Sequence, residues 1–294
     1  MRTKHLITLY LEKHASQKRS GKEDARILNK DILPIWGNRS AAAIKRTDVV
    51  AVLDSIVDRG SGIMANRTLS LIRKMFNFAI GRDIVKENPC HQVKAMAKEN
   101  QKDRVLAEEE IVKMWNYLKD CPYLHGDILK MILITGQRPG EVIKMRYDNI
   151  VCDSGEFYWT IPKAGAKNNC SHRVFLSAMA IDLTREQRCA DFVFNENTTS
   201  ELAQFVDRHY FNMGIIDKFT PHDLRRTCAS HMASMGVDRL TIGRILNHKE
   251  AGVTKIYDRY SYDNEKRDAW EQWSIRLDAM LNVEESKNVV KLFG

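Results

Sequence analysis

The sequence predicts a mainly α-helical protein with one small antiparallel β-sheet, in which a helical N-terminal module precedes a mixed C-terminal one. Three observations support this α+β class. Apolar residues recur at helical spacing through residues 1–100, without a convincing strand pattern. Two short runs rich in aromatic and β-branched residues, 157–161 and 173–176, are typical of strands. After residue 200 the apolar spacing is helical again.

Two helices stand out in the N-terminal module. Thr47 is a suitable N-cap for a helix whose apolar residues run through 49–57 and which Gly60 ends. A second helix is expected over residues 63–79, ending near Gly81. This module is therefore predicted to be a small helical bundle.

The polar residues that follow indicate a linker, so the predicted domains are 1–100 and 105–294, joined by residues 101–104. Charge is distributed unevenly along the chain. Residues 1–103 contain 20 Lys and Arg against 11 Asp and Glu, a net charge of +9. Residues 104–294 contain 26 against 27, a net charge of −1. A basic module is typical of a surface that binds a polyanion such as DNA, although a solvated lysine-rich surface has the same charge.

In the C-terminal module, residues 106–110 are expected to begin a helix, because the helix dipole stabilises acidic side chains such as these glutamates at its N-terminal end. The apolar residues 128–134 form a further segment that precedes Gly136. The two predicted strands form a hairpin, since Asn168 and Asn169 between them tolerate the left-handed backbone of a tight turn.

Composition argues against several kinds of site. The six cysteines are far apart and form no C-x-x-C pair, which is typical of reduced thiols rather than of a zinc site or a disulfide framework. No apolar run approaches the roughly 20 residues of a membrane span, and no signal peptide is recognisable, so a cytoplasmic protein is expected. Neither a carboxylate cluster suited to Mg²⁺ nor a glycine-rich phosphate loop is present, so no metal or cofactor is expected.

The first candidate motif is TGQRPGEV at residues 135–142. It places Arg138 between a glycine and a proline at the junction of two helical segments. Glu141 follows one helical turn later and can orient the guanidinium. Taken alone, this pattern is also typical of a surface arginine in a helix–helix turn.

The second motif is PHDLRRT at residues 221–227, where Thr220 or Pro221 is expected to begin a helix. His222 and Arg225 are three residues apart, so they share a face near the helix N-terminus, a favourable place for phosphate. An imidazole and a guanidinium on one face can hold a phosphate oxygen and move a proton. A lone H-x-x-R is nevertheless common in amphipathic helices.

The third motif is ILNH at residues 245–248, followed by TKIYDRYSY, in which Tyr257 lies nine residues after His248. A tyrosine hydroxyl with its ordinary pKa near ~10 is a poor nucleophile, so it needs nearby positive charge and a proton acceptor. Tyr260 and Tyr262 are alternative nucleophiles. Each of the three, taken alone, is as typical of a half-buried aromatic residue.

The order of these motifs is more informative than any one of them. An arginine, a lysine on a hairpin, His-x-x-Arg, a histidine and then a tyrosine resemble the ordered signature of the tyrosine recombinase (phage integrase) family. The three motifs look closest to the branch that moves phages and genomic islands. The resemblance extends from about Leu106 to Trp273, and residues 1–100 resemble the family's core-binding domain without a sharp motif.

The resemblance implies roles at the scissile phosphate. Tyr257 would be the nucleophile that forms a 3′-phosphotyrosyl bond, and Arg138 and Arg225 would clamp the non-bridging oxygens. Lys167 would protonate the leaving 5′-oxygen. Lys163 also flanks the hairpin and is the alternative, but Lys167 lies beside the predicted turn.

The two histidines complete the implied site. His222 would act as the general base for the tyrosine, and His248 would hydrogen-bond the phosphate. Glu141 would support the first arginine. The sequence departs from the family at Asn247, because the residue before this histidine is usually glycine.

The resemblance also implies partners. Two domains would close around double-stranded DNA at a specific attachment-type site, and four protomers would exchange strands pairwise on two sites. Accessory DNA-bending or directionality proteins would be further partners. The amphipathic segment 265–281, with Trp270, Trp273, Leu277 and Leu281 on one side, would pack either on its own domain or on a neighbouring protomer.

Two other functions fit part of the pattern. A DNA-binding protein could keep the fold without cleaving DNA, but the complete set of motif residues argues against it. A type IB topoisomerase shares the chemistry and acts alone without site choice, but the short chain and the PHDLRRT form argue against that. We therefore expect a site-specific DNA strand transferase that integrates or excises a mobile element without metal or ATP.

Overall fold

The computed structural model describes residues 1–18, 20–99, 103–121, 124–163, 170–185, 191–194, 198–248 and 260–290, with side chains described as far as residue 282. Its internal contacts divide the chain into two units, Met1–Gln101 and Lys102–Gly294. The predicted hairpin turn at Asn168 and Asn169 lies outside the described residues.

The first unit is a helical bundle around one apolar core. Its α-helices are α1 (Thr3–Lys13), α2 (Gly21–Ile27), α3 (Leu33–Trp36), α4 (Arg46–Asp58) and α5 (Gly62–Ile80). A π-helical turn connects α2 to α3. The long α5 buries one face, as its apolar spacing predicts, and its buried side chains include Leu69, Ile72, Met75 and Phe76.

The start of α4 differs from the prediction. Thr47 is not its N-cap; Lys45 occupies that position and the helix begins at Arg46. The backbone N–H of Lys45 donates to the carboxylate of Asp48 at 2.8 Å. Asp48 also accepts two hydrogen bonds from Arg39, at 2.7 and 3.0 Å. A carboxylate in the first turn accepts a hydrogen bond from an unpaired backbone N–H and interacts favourably with the positive end of the helix dipole. The helix therefore begins where Asp48 is its third residue, with Lys45 as the N-cap.

The second unit combines helices with one sheet. Its elements are α6 (Glu108–Lys119), α7 (His125–Thr135), α8 (Pro139–Val142), β1 (Ile150–Asp153), β2 (Glu156–Ile161), β3 (His172–Leu176), α9 (Ala178–Arg185), α10 (Thr199–His209), α11 (Pro221–Ser234), α12 (Arg239–Ile245) and α13 (Asp263–Val290). The predicted mainly α fold with a small antiparallel sheet is therefore confirmed. Within the part of the chain that the structure describes, no helix has both the length and the apolar composition needed to cross a bilayer.

The sheet has the order β1-β2-β3 and is antiparallel throughout. The predicted pairing of the two strands is confirmed, with Phe157 opposite Leu176 and Ile161 opposite His172. The edge strand β1 was not predicted. Three of its four residues are exposed and Val151 is 53% accessible, so β1 lacks the alternation of buried and exposed residues that marks a strand in sequence.

The C-terminal helix α13 packs on its own unit over its described side chains. Trp270 and Trp273 are buried, and their indole N–H groups donate to the backbone carbonyls of Thr135 at 2.9 Å and Leu133 at 3.0 Å. These carbonyls belong to the last turn of α7, where no intrahelical donor is available. Of the two alternatives for residues 265–281, packing within the same chain is the one observed.

Candidate active site

Arg138 lies at the junction between α7 and α8, in a turn that its neighbours shape. Gly136 ends α7 in the left-handed region, with φ +67°, and Pro139 occupies the first turn of α8. Glu141, buried three residues later, accepts from the Arg138 backbone N–H at 3.4 Å and from its Nη1 at 3.0 Å. The carboxylate therefore orients a guanidinium that keeps its second terminal nitrogen for other partners.

Arg225 lies near the start of α11, on a helix with a well-formed N-terminus. The backbone N–H and Oγ1 of Thr220 donate to the Asp223 carboxylate at 2.8 and 2.7 Å. The Arg225 side chain is buried, and its Nη1 and Nη2 donate to the carbonyls of Gly136 at 2.9 Å and Leu246 at 2.5 Å. These contacts connect α11 both to the α7 turn and to the end of α12.

The end of α12 explains why asparagine stands where the family usually has glycine. Asn247 has a φ of +47°, in the left-handed region that glycine and asparagine adopt most readily. Its N–H donates to the Arg244 carbonyl at 3.0 Å, and the His248 N–H donates to the Gly243 carbonyl at 2.9 Å. This pair of bonds is a Schellman motif. It turns the chain sharply and places His248 directly after the helix.

Three successive carbonyls at this helix end accept hydrogen bonds from side chains of the site. The Ile245 carbonyl accepts from Gln137 Nε2 and from His172 Nε2, each at 2.9 Å. The next two accept from the two arginine guanidiniums. Gln137 and His172 were not among the predicted site residues. For His172 a signal existed, because strand alternation from Val174 and Leu176 places it on the inward face of β3.

The charges of the site influence one another. Burial, and then the charge of Arg138, lowers the pKa of Arg225 to about 10, still well above neutral pH. Desolvation lowers the pKa of His222, and the charges of Arg225 and Arg226 add to this effect. The pKa of His248 is lowered by desolvation, then by Arg225 and Arg138. Both imidazoles therefore favour the uncharged form at neutral pH, beside the charged guanidinium of Arg225.

The structure thus brings together the predicted site residues that it describes, Arg138, Glu141, His222, Arg225 and His248. Arg225 is buried, Arg138 is half-buried, and the two histidines are exposed to solvent. Lys167 and Tyr257 lie outside the described residues, so their placement stays a prediction. Lys163, the alternative lysine, is exposed shortly after the end of β2.

Of the two alternative tyrosines, Tyr260 has surroundings unsuited to a nucleophile. The carboxylate of Glu265, followed by desolvation, raises the pKa of Tyr260, whereas a nucleophile needs a lowered one. The Tyr262 ring lies 5.1 Å from the Arg244 guanidinium and packs edge-on against Tyr260. The raised pKa therefore disfavours Tyr260, whereas Tyr262 lies beside a positive charge and stays an alternative.

Two family models match the chain. The model described as the phage integrase family covers residues 104–264, and the phage integrase central domain covers residues 5–96. The tyrosine recombinase XerD of Staphylococcus haemolyticus (strain JCSC1435) is 23% identical over 238 residues, which cover 74% of this chain and 79% of the relative. The ICEBs1 integrase of Bacillus subtilis (strain 168) is 21% identical over 274 residues, 82% of this chain and 74% of the relative.

Solved structures share the fold. A lambda integrase (75-356) dimer bound to a COC′ core site has a TM-score of 0.69 at 16% identity, covering 85% of this chain and 96% of that one. A lambda integrase tetramer bound to a Holliday junction has a TM-score of 0.69 at 16% identity, covering 85% and 78%. With a family model that spans more than half of its length, the chain belongs to the phage integrase family and is a tyrosine site-specific recombinase.

Proposed function

We propose that this recombinase cuts and rejoins DNA by successive transesterifications, with Tyr257 as the nucleophile. The tyrosine oxygen bonds to phosphorus, the bond from phosphorus to the 5′-oxygen breaks, and a 3′-phosphotyrosine results. His222 accepts the tyrosine proton, and Lys167 donates a proton to the 5′-oxygen. Attack by a 5′-hydroxyl on the phosphotyrosine reverses these steps. One phosphodiester replaces another, so the rejoining step needs no ATP.

The observation that carries this proposal is the convergence of two guanidiniums and two neutral imidazoles beside one helix end. An attacked phosphodiester gains negative charge, which planar guanidiniums stabilise through paired hydrogen bonds. Arg225 is already held by two carbonyls, so little reorganisation is needed when charge develops. A neutral His222 is ready to accept a proton, and His248 is ready to hydrogen-bond the phosphate.

We further propose that double-stranded DNA carrying a specific attachment-type site is the substrate, and that four protomers assemble on two such sites. The tetramer of lambda integrase on a Holliday junction supports this stoichiometry by analogy. The basic excess of residues 1–103 supports DNA binding by the first unit, with an affinity that falls steeply as salt rises. Integration or excision of a mobile element is supported by the similarity to the ICEBs1 integrase. Accessory DNA-bending proteins and a cytoplasmic, nucleoid-associated location stay predictions.

Adduct trapping on a nicked suicide substrate tests the chemistry. The wild-type protein should form a covalent protein–DNA adduct, and peptide mapping should locate it at Tyr257. Tyr257→Phe should bind DNA normally and form no adduct, whereas the matched control Tyr260→Phe should form it at the wild-type rate.

Three results would overturn parts of this proposal. DNA binding by the wild type without any adduct would identify a protein that has kept the fold but does not cleave. An adduct that survives in Tyr257→Phe would move the nucleophile to Tyr260 or Tyr262. Relaxation of arbitrary supercoiled plasmid by a monomer would identify a topoisomerase.

A further inference from the structure

His172 is a buried imidazole on β3 that none of the proposed chemical steps uses. Its Nε2 lies 2.9 Å from the carbonyl oxygen of Ile245, in the last turn of α12. Since a carbonyl only accepts hydrogen bonds, Nε2 carries the proton and donates. The bond joins two elements that are 73 residues apart in sequence. It connects β3, the second strand of the predicted lysine hairpin, to the end of α12, which precedes His248.

The neighbouring carbonyls depend on groups that must also serve the substrate. The Leu246 carbonyl accepts from Arg225, and the Asn247 carbonyl accepts from Arg138 at 3.4 Å, a long hydrogen bond. When a phosphate takes up the remaining guanidinium N–H groups, those two contacts share their donor side chains with it. The bonds of the Ile245 carbonyl to His172 and Gln137 do not, because neither donor belongs to the phosphate clamp.

We infer that His172 is a positioning residue, which anchors the carboxyl end of α12 to β3 and thereby holds Arg225 and His248 in register with the scissile phosphate. The Schellman turn makes this coupling direct, since His248 lies three residues after the anchored carbonyl. The inference rests on the proposed function, because it concerns the same phosphate site.

The surroundings of His172 keep it a neutral donor. It is 6% exposed, and its ring lies 6.3 Å from that of Trp270. Burial, and then the nearby charge of Lys266, lowers its pKa to about 3, although the hydrogen bond to the Ile245 carbonyl acts in the opposite direction. Arg225 and Arg138 lower the pKa by smaller amounts. A neutral imidazole therefore donates the hydrogen bond without placing a further positive charge beside Lys266, Arg225 and Arg138.

The test compares single-turnover adduct formation at saturating suicide substrate. His172→Leu removes the donor and fills the space, and a shift of the helix end by about 1 Å should slow adduct formation by up to about 100-fold. DNA affinity should stay at the wild-type value, because phosphate contacts elsewhere provide most of it. His172→Gln places an amide donor near the original Nε2 and should restore most of the rate.

Val174→Ala is the matched control. Val174 is fully buried on the same face of β3, and its aliphatic side chain has no donor for a hydrogen bond to the α12 carbonyls. This variant should lower the melting temperature while leaving adduct formation per folded molecule unchanged. Equal slowing in Val174→Ala and His172→Leu, or a wild-type rate in His172→Leu, would overturn the inference. Absence of an adduct in the wild type would instead count against the proposed function.

A second substrate distinguishes an effect of His172 on the lysine hairpin from an effect on the end of α12. When sulfur replaces the 5′-bridging oxygen, the leaving group departs without a proton donor, so a defect in the lysine hairpin disappears. The defect of His172→Leu should persist on this substrate, because guanidinium and imidazole positions still matter. Recovery of the wild-type rate would assign His172 to the hairpin and overturn its role at α12.

Discussion

Replacing His172 by glutamine should make the protein less sensitive to acid. In the folded protein, burial and then Lys266 lower the pKa of this imidazole from 6.5 to about 3. The unfolded chain therefore binds a proton as pH falls through 6.5, while the folded chain does not until about pH 3. This difference lowers the free energy of unfolding progressively across that interval. At a pH about 1.5 units below the unfolded value, the loss is about 2 kcal/mol, at about 1.4 kcal/mol per unit.

The assay is urea denaturation of wild type and His172→Gln at about pH 8 and about pH 5. At about pH 8 the titration of His172 does not change the free energy of unfolding, and at about pH 5 it lowers it by about 2 kcal/mol. Tryptophan fluorescence reports mainly on the second unit, which contains four of the five tryptophans. Other titrating groups are common to both proteins, so they cancel in the difference between the two pH changes.

The expected outcome is a smaller pH effect in the variant, by about 2 kcal/mol, even if glutamine lowers stability at both pH values. An identical pH effect in the two proteins would refute the reasoning. It would mean that His172 is protonated as readily in the folded protein as in water, and that the hydrogen bond to Ile245 does not depend on a neutral ring.

Further predictions concern the turn, the C-terminal helix and the clamp. Asn247→Gly should leave stability nearly unchanged, whereas Asn247→Ala should lose about 1 kcal/mol in denaturation, because alanine is strained at positive φ; equal effects would contradict the turn assignment. Trp273→Phe should cost about 1–3 kcal/mol by leaving the Leu133 carbonyl without a donor, and an unchanged midpoint would argue against that bond. Arg138→Lys should slow adduct formation by about 100-fold or more while folding normally by circular dichroism. The reason is that an ammonium group cannot form the paired hydrogen bonds of a planar guanidinium. A wild-type rate would show that Arg138 does not stabilise the phosphate.

Much of the fold was predictable because local rules decide it. The hairpin of β2 and β3 follows from two runs of β-branched and aromatic residues. The helix over Gly62–Ile80 follows from apolar periodicity, and α11 begins at Pro221 as its sequence indicates. The strand that the prediction missed has a weak local signal. The strand Ile150–Asp153 is short and mostly exposed, so little burial pattern marks it.

The candidate site was predictable for a different reason. Its polar residues lie in short motifs whose spacing is local, such as Arg138 with Glu141 and His222 with Arg225. The contribution of Gln137 and His172 was not predictable in the same way. A single buried histidine on a strand has no motif, and its partner is a backbone carbonyl, which every residue has.

By itself, the sequence determined the order of the motifs, the class of chemistry, and the faces on which apolar residues are buried. These are properties of residues a few positions apart. Only the tertiary structure decided which groups meet at the end of α12, where carbonyls collect donors from 21 to 109 residues away. It also decided that Asn247 takes the left-handed turn and that the tryptophans of α13 bond to their own α7. The physical reason is that backbone carbonyls left unpaired at a helix end accept whichever donor the packing of distant elements brings within reach.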